Sequence, residues 1–174
     1  MRTVVLGPRS PELDALIARR RSLGLDTHDE VWKGEYHMAP AAQSSHGWLD
    51  QQLAELLGPM ARAAGLAGTG PFNLGEPEDF RVPDRALHRT RPHAVWVPTA
   101  AVVVEIESPD DETWDKLGFY ADHRVEELVI VSAEAQSVTW LILEEGRYER
   151  VDKSRLLGPE SGTLADRIEW PSES

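Results

Sequence analysis

The stretch AVVVEIES, Ala101 to Ser108, decides how the rest of the chain is read. Its apolar run lacks alternation, which predicts a strand buried on both faces, as in the centre of a sheet. Val102, Val104 and Ile106 share one face, while Val103, Glu105 and Glu107 share the other. One face is therefore apolar, and the other turns acidic at the C-terminal end of the strand. In open α/β sheets, sites gather outside such strand ends. A buried ionised carboxylate is costly unless it is paired or bound to a metal. A salt bridge is the plain resolution, and a metal site is the chemical one.

Working outward, SPDDETWDKLGFYADH (Ser108–His123) predicts a helix. Ser108 and Asp111 have capping-box spacing, and the acids of the first turn suit the helix dipole. At about 100° per residue, Trp114, Leu117, Tyr120 and Ala121 form its buried stripe, with Lys116 on the flank. ELVIVSA then predicts a central strand, and SVTWLILEEGRYERVD a hairpin turning at Gly146. LADRIEWP closes the chain as an edge strand.

Upstream, SPELDALIARRRSLG predicts a short helix capped by Ser10, with Pro11 in its first turn, Leu13, Leu16 and Ile17 on one face and a stop at Gly24. A hairpin from Val31 to Met38 turns at Lys33-Gly34. SSHGWLDQQLAELLGPMARAAGL is the clearest helix, with Leu49, Leu53, Leu56, Leu57 and Met60 at helical spacing and Pro59 placed to kink it. The turn-rich stretch after it holds short strands near Phe72 and Phe80. This order of elements predicts an α/β to α+β fold, a mixed β-sheet flanked by helices.

A length of 174 residues predicts one domain: a helical extension over 1–25, a core over 26–151 and a strand or tail over 152–174. No apolar run approaches a membrane span, and the N-terminal apolar patch is too short for a secretion signal, so a cytoplasmic protein is expected. The chain has no cysteine, which excludes disulfides, thiolate zinc sites and a cysteine nucleophile. Lys plus Arg number 18 against 30 Asp plus Glu, a net charge of −12. Nucleic-acid affinity rests mainly on neutralised phosphates, so a DNA-binding role requires the positive charge to be concentrated locally or by dimerisation. The cations are arginine by habit; only Lys33, Lys116 and Lys153 are lysine.

Asp84 follows Pro83 in RVPD, at the end of a predicted strand and 21 residues before Glu105. Two carboxylates on neighbouring strands beside a lysine are what metal-assisted phosphodiester cleavage needs. Hard oxygen ligands hold Mg²⁺ (or Mn²⁺), which lowers the pKa of bound water and steadies charge on the phosphate. A lysine can orient the attacking water, or act as a base if its neighbours depress its pKa. The alternative for Lys116 is a solvated helix residue paired with Glu112 or Tyr120.

In this combination the chain resembles the PD-(D/E)XK nuclease superfamily and, more specifically, its Uma2-like family (DUF820) of restriction-endonuclease type. The resemblance runs from about Asp26 to Val151, through HDEVWKGEYHMAP, SSHGWLDQQLAELL, EDFRVPD, AVVVEIESP and DKLGFYADHRVEELVIVS to the final hairpin. It implies a restriction-endonuclease-like sheet, metal-dependent cleavage of DNA and a homodimer. It also implies that Asp84 and Glu105 bind the metal and that Glu30 is an additional or water-mediated ligand. The superfamily places lysine two residues after Glu105, where this chain has Glu107. Uma2-like proteins carry it instead on the following helix, in the setting KLGFY, which points to Lys116. Glu107 is then a further ligand or a cap for the next helix, and His46, where the family often has a His at the start of its long helix, is a substrate contact or has a cap or surface role. Arg19 to Arg21, Arg85, Arg89 and Arg91 can contact phosphate or form a solvated surface. Two other functions compete: an inactive nuclease-fold interaction protein, and a two-carboxylate hydrolase of a sugar or small ester, for which no sugar-binding aromatic pattern is visible.

Overall fold

A computed structural model describes residues 4–6, 10–41, 43–108 and 112–171. In chain order it contains β1 (Val4–Leu6), α1 (Pro11–Ser22), β2 (Glu30–Trp32), β3 (Glu35–Met38), α2 (Ser44–Ala63), β4 (Ala67–Thr69), β5 (Asn73–Glu76), β6 (Asp79–Arg81), β7 (Arg85–His88) and β8 (Trp96–Val97). β9 (Val102–Glu107), a 3-10 turn (Thr113–Lys116), α3 (Leu117–Asp122), β10 (Glu127–Ser132), β11 (Ser137–Glu144), β12 (Arg147–Val151) and α4 (Ser161–Ala165) complete it. The strands form two six-stranded sheets, ordered β1-β3-β2-β6-β5-β8 and β12-β11-β10-β9-β7-β4.

β9 lies inside the second sheet, parallel to β10 and antiparallel to β7. Parallel neighbours need a crossover, and the 3-10 turn with α3 supplies it. Val102, Val104 and Ile106 pack with Leu49, Leu53, Leu57 and Ala61 of α2. Leucine and alanine recur there at helical spacing, so a single stripe of α2 is buried. Truncating a fully buried leucine such as Leu53 to Ala costs about 2–5 kcal/mol in such a core. Val103, on the other face of β9, packs with Phe119 and Tyr120 of α3 and with Leu74 of β5.

The β2–β3 hairpin turns at Lys33 (φ 50°) and Gly34 (φ 88°), two consecutive left-handed residues that match strand twist. Its Val31 and Tyr36 pack on Ile17 of α1 and on Phe80 and Val82. Buried Asp29 ties α1 to this hairpin. It takes Arg20 Nε at 2.7 Å, the Ala39 N–H at 2.8 Å and the Tyr36 hydroxyl. The chain crosses from the first sheet to the second through Val82–Asp84, between β6 and β7.

Two expectations are corrected. LADRIEWP is not an edge strand: α4 and the turn after it occupy this segment. Leu164 and Ile168, four residues apart, both enter the core beside Trp140. An alternating strand would have carried Asp166 into that core with them. The turn that precedes this segment is held by buried Glu127, which accepts bonds from Ser154 Oγ (2.6 Å), the Arg155 N–H (2.8 Å) and the Leu156 N–H (2.9 Å). Trp114 is not part of a buried stripe. The first turn is 3-10, which rotates Trp114 to 49 % exposure and leaves Phe119 and Tyr120 as the buried residues. The Ser108–Asp111 capping box falls partly outside the described residues. Among those described, no helix is long and apolar enough to cross a membrane.

Gly75 in β5 adopts φ 118°, and a Cβ there would meet the Asp79 carbonyl oxygen and lie 2.8 Å from the Phe119 ring. Gly75→Ala is expected to destabilise the protein by about 2 kcal/mol or more, through left-handed strain and overpacking. The check is a lower urea midpoint with an unchanged slope.

Candidate functional site

Segments from both sheets and from the α3 crossover meet around one amine. Glu30 opens β2 in the first sheet, Asp84 ends the link between sheets, Glu105 lies in β9, and Lys116 closes the 3-10 turn. Lys116 Nζ is 3.0 Å from Glu30 Oε1 and 3.3 Å from Glu105 Oε1. Its side chain is 13 % exposed, so the stem runs through apolar surroundings to deliver the charge. Tyr120, one turn further along, donates its hydroxyl hydrogen to the same Glu105 oxygen. The four-residue spacing puts amine and phenol on one side of the helix.

The acids are also held by backbone. Glu30 Oε1 accepts the Val82 N–H at 2.8 Å, and its Oε2 accepts Trp32 Nε1 at 2.7 Å. β7 and β9 pair Arg85 with Val104. Extending that register by one puts Asp84 beside Glu105. Asp84 continues the ladder with its side chain: Oδ2 accepts the Ile106 N–H at 2.8 Å. Asp84 Oδ1 lies 2.9 Å from Nε2 of His46, in the first turn of α2.

Electrostatics follow from this crowding. Burial, opposed by the Lys116 charge and reinforced by the Asp84 and Glu30 carboxylates, pushes Glu105 up to about 7. Burial disfavours the Lys116 ammonium, but the Glu105 and Glu30 carboxylates together outweigh it and hold the lysine above its ordinary range. Lys116 is thus a cation and proton donor in this arrangement, not a depressed-pKa base. The hydrogen bond with Asp84 outweighs burial at His46 and raises its pKa. Burial and the Glu105 charge raise Tyr120, which stays a neutral donor.

The structure therefore brings Glu30, Glu105 and Lys116 into direct contact, with Asp84 and His46 adjoining them. His46 meets Asp84 and does not act as a side-chain cap. Glu107 does not join the cluster; it accepts the Trp114 indole N–H, and the 3-10 turn has no side-chain cap. Among the described residues, no three His, Asp or Glu side chains stand ready-made as a metal cage. The donor chemistry still fits a hard cation. An ionised carboxylate offers about four acceptor positions, so Asp84 and Glu105 keep lone pairs beyond the bonds described. The crowded acids repel one another, which a divalent ion would relieve.

Most of the arginines proposed for phosphate are engaged elsewhere. Arg20 pairs with Asp29, Arg21 with Asp26, Arg85 with Asp50 and Arg89 with Glu126. The sequence reading missed what steadies the amine's helix. Arg81, 4 % exposed, lies between the Trp32 ring (4.2 Å) and the Phe119 ring (4.0 Å). His37 stacks on Trp32 at 4.3 Å and His123 on Phe119 at 4.0 Å, which makes a column from hairpin to α3. Its only sequence signal is Glu30 and Trp32 two apart on one strand face. The second role of Tyr120 was signalled by its spacing from Lys116.

A mixed sheet with acids at adjoining strand ends and an amine from the crossover defines a restriction-endonuclease-like fold. The profile of the Uma2 family, described as "Putative restriction endonuclease", matches residues 17–166, and the chain belongs to that family. Among solved structures it is similar to a "putative nuclease belonging to DUF820" from Anabaena variabilis. The TM-score is 0.61 at 13% identity, covering 79% of this chain and 84% of that one. At that identity the likeness is one of fold. No curated protein sequence matches the chain.

Lys116→Ala leaves buried carboxylates without their counter-charge and is expected to cost about 3–5 kcal/mol in urea unfolding. A pH effect follows from Glu105. Its ordinary pKa of 4.5 rises to about 7 on folding, so between these values the folded state binds the extra proton. Stability falls as pH rises through that window. Glu105→Gln removes this slope, and its advantage over the wild type should grow from pH 4.5 to pH 7; parallel profiles would contradict the assignment.

Proposed function

We propose that this protein is a metal-dependent endonuclease that hydrolyses phosphodiester bonds in DNA, with Asp84 and Glu105 as metal ligands and Glu30 as an additional or water-mediated one. The observation that carries the proposal is the contact of Lys116 Nζ with Glu105 and Glu30, beside Asp84. Mg²⁺ or Mn²⁺, held by these oxygens, would supply an activated water and offset charge on the phosphate.

The chain's own residues do the rest. Lys116 keeps its proton and donates hydrogen bonds, so it orients the water oxygen or a non-bridging phosphate oxygen. That water oxygen forms the new bond to phosphorus and gives up a proton to solvent, and the bond from phosphorus to the leaving sugar oxygen breaks, that oxygen taking a proton from solvent. Tyr120 fixes the Glu105 carboxylate, as Ile106 N–H and His46 fix Asp84. Fixed first ligands are what position a metal and its water.

A second reading has its own support. Every carboxylate in the cluster already has an internal partner, which suits a nuclease fold used for interaction alone. Purified protein with Mg²⁺ or Mn²⁺ is expected to nick or cut DNA, and EDTA to stop it. Asp84→Asn and Glu105→Gln should each lower the rate at least about 100-fold, the scale of losing a main electrostatic group. Wild-type inactivity on varied DNA with either metal would favour the interaction reading.

A further inference from the structure

The N-terminal ends of β9 and β10 border a second concave site. It is a cavity of about 430 Å³, lined among others by His88, Arg89, His93, Trp96, Arg124 and Glu126. This size falls within the usual range for small-ligand sites. Ala101 lies in its wall, four residues before Glu105, or roughly 13 Å along an extended strand. The cavity is therefore separate from the acid cluster.

Its charge runs against the rest of the molecule. The chain carries −12 with histidine neutral, yet on the same count this lining contributes two arginines against one acid, Glu126, and burial lowers the pKa of its His88 and so favours the neutral ring. Arg89 and Glu126 neutralise each other in a bidentate pair at 2.8 and 2.7 Å. Arg124 makes no ion pair among the described residues and is exposed. Its backbone is also unusual: φ is 55°, at the left-handed position that ends α3. The Arg124 N–H bonds to Ala121 O and the Val125 N–H to Tyr120 O, the closing pattern for which glycine is the default residue. An arginine there accepts backbone strain, and Arg124 lines the cavity. Opposite in character is Trp96, 39 % exposed, which offers a ring flanked by Pro98 and Val97.

A flat aromatic surface and a guanidinium with no ion pair among the described residues, both from residues that line one cavity, match the two halves of a nucleotide. Bases of every kind stack on aromatic rings, and a guanidinium matches phosphate in charge and geometry. We propose that this cavity binds a nucleotide unit, with its base on Trp96 and its phosphate on Arg124. The unit is either a free mononucleotide or one residue of a DNA strand. The site does not rest on the cleavage reading, because it is tested by binding with no metal present.

The test is calorimetric titration of the full chain in EDTA with dTMP, thymidine, inorganic phosphate and single-stranded (dT)12. Binding of dTMP at least about tenfold tighter than thymidine or phosphate is expected, since both halves of the ligand contribute. Arg124→Gly preserves the left-handed backbone while removing the guanidinium, so it should fold normally and lose about tenfold in affinity. Trp96→Ala should lose a similar factor. If (dT)12 binds more tightly than dTMP and both variants weaken it, the source is a DNA strand; equal affinities assign a free nucleotide. No dTMP or (dT)12 binding, or binding unchanged in both variants, overturns the proposal. Trp96→Ala abolishing self-association in a chain that binds no nucleotide also overturns it, and makes the surface a contact between copies.

Discussion

One buried ammonium holds the acidic end of this fold together. Glu30 belongs to one sheet and Glu105 to the other, and neither carboxylate tolerates burial alone. Lys116 lies within 3.3 Å of both, so it joins the two sheets as well as the crossover that carries it. Most other features around it limit its freedom. The 3-10 turn aims the stem, Tyr120 holds the far side of Glu105, and Trp32 and the Val82 N–H hold Glu30. The stacked column through Arg81 fixes the helix against the hairpin.

This arrangement has a cost. Burial first, and the Asp84 and Glu30 carboxylates after it, raise the pKa of Glu105 against the pull of Lys116. Replacing such a pair with apolar residues of similar volume is often neutral or stabilising. A chain that keeps three carboxylates here keeps them for chemistry or for specificity of structure. Membership of the Uma2 family, described as "Putative restriction endonuclease", favours chemistry.

Local patterns carried much of this into the sequence. The apolar run of β9 announced a central strand, Lys33-Gly34 announced the tight hairpin, and the leucine spacing of α2 announced its buried stripe. The acids were legible because they interrupt an apolar run. Other features depend on partners far along the chain, which no local pattern records. The C-terminal segment reads as a strand by its composition, but the core surface near Trp140, which takes Leu164 and Ile168, selects a short helix and turns. Trp114 follows helical periodicity only if the first turn is α, and it is 3-10. Arg81 looks like any strand arginine until its flanking rings, Trp32 and Phe119, arrive from elsewhere. Lys116 was singled out through the family resemblance, because the residues alone favoured a solvated helix lysine.

The charge of the molecule also gains meaning from the fold. Arg20, Arg21, Arg85 and Arg89 hold acids of this chain, so a DNA strand would meet few free cations near them. For the proposed DNA substrate, a bound metal, the proposed site at Arg124 and a second copy are further sources of positive charge. The claim on which the proposed cleavage depends is that Asp84 and Glu105 share a cation. Anomalous scattering from crystals soaked in Mn²⁺ tests it directly. An Mn²⁺ peak is expected with an oxygen of each carboxylate about 2.0–2.6 Å away. Crystals that hold Mn²⁺ elsewhere, or nowhere, with Lys116 still bridging Glu30 and Glu105, would contradict it.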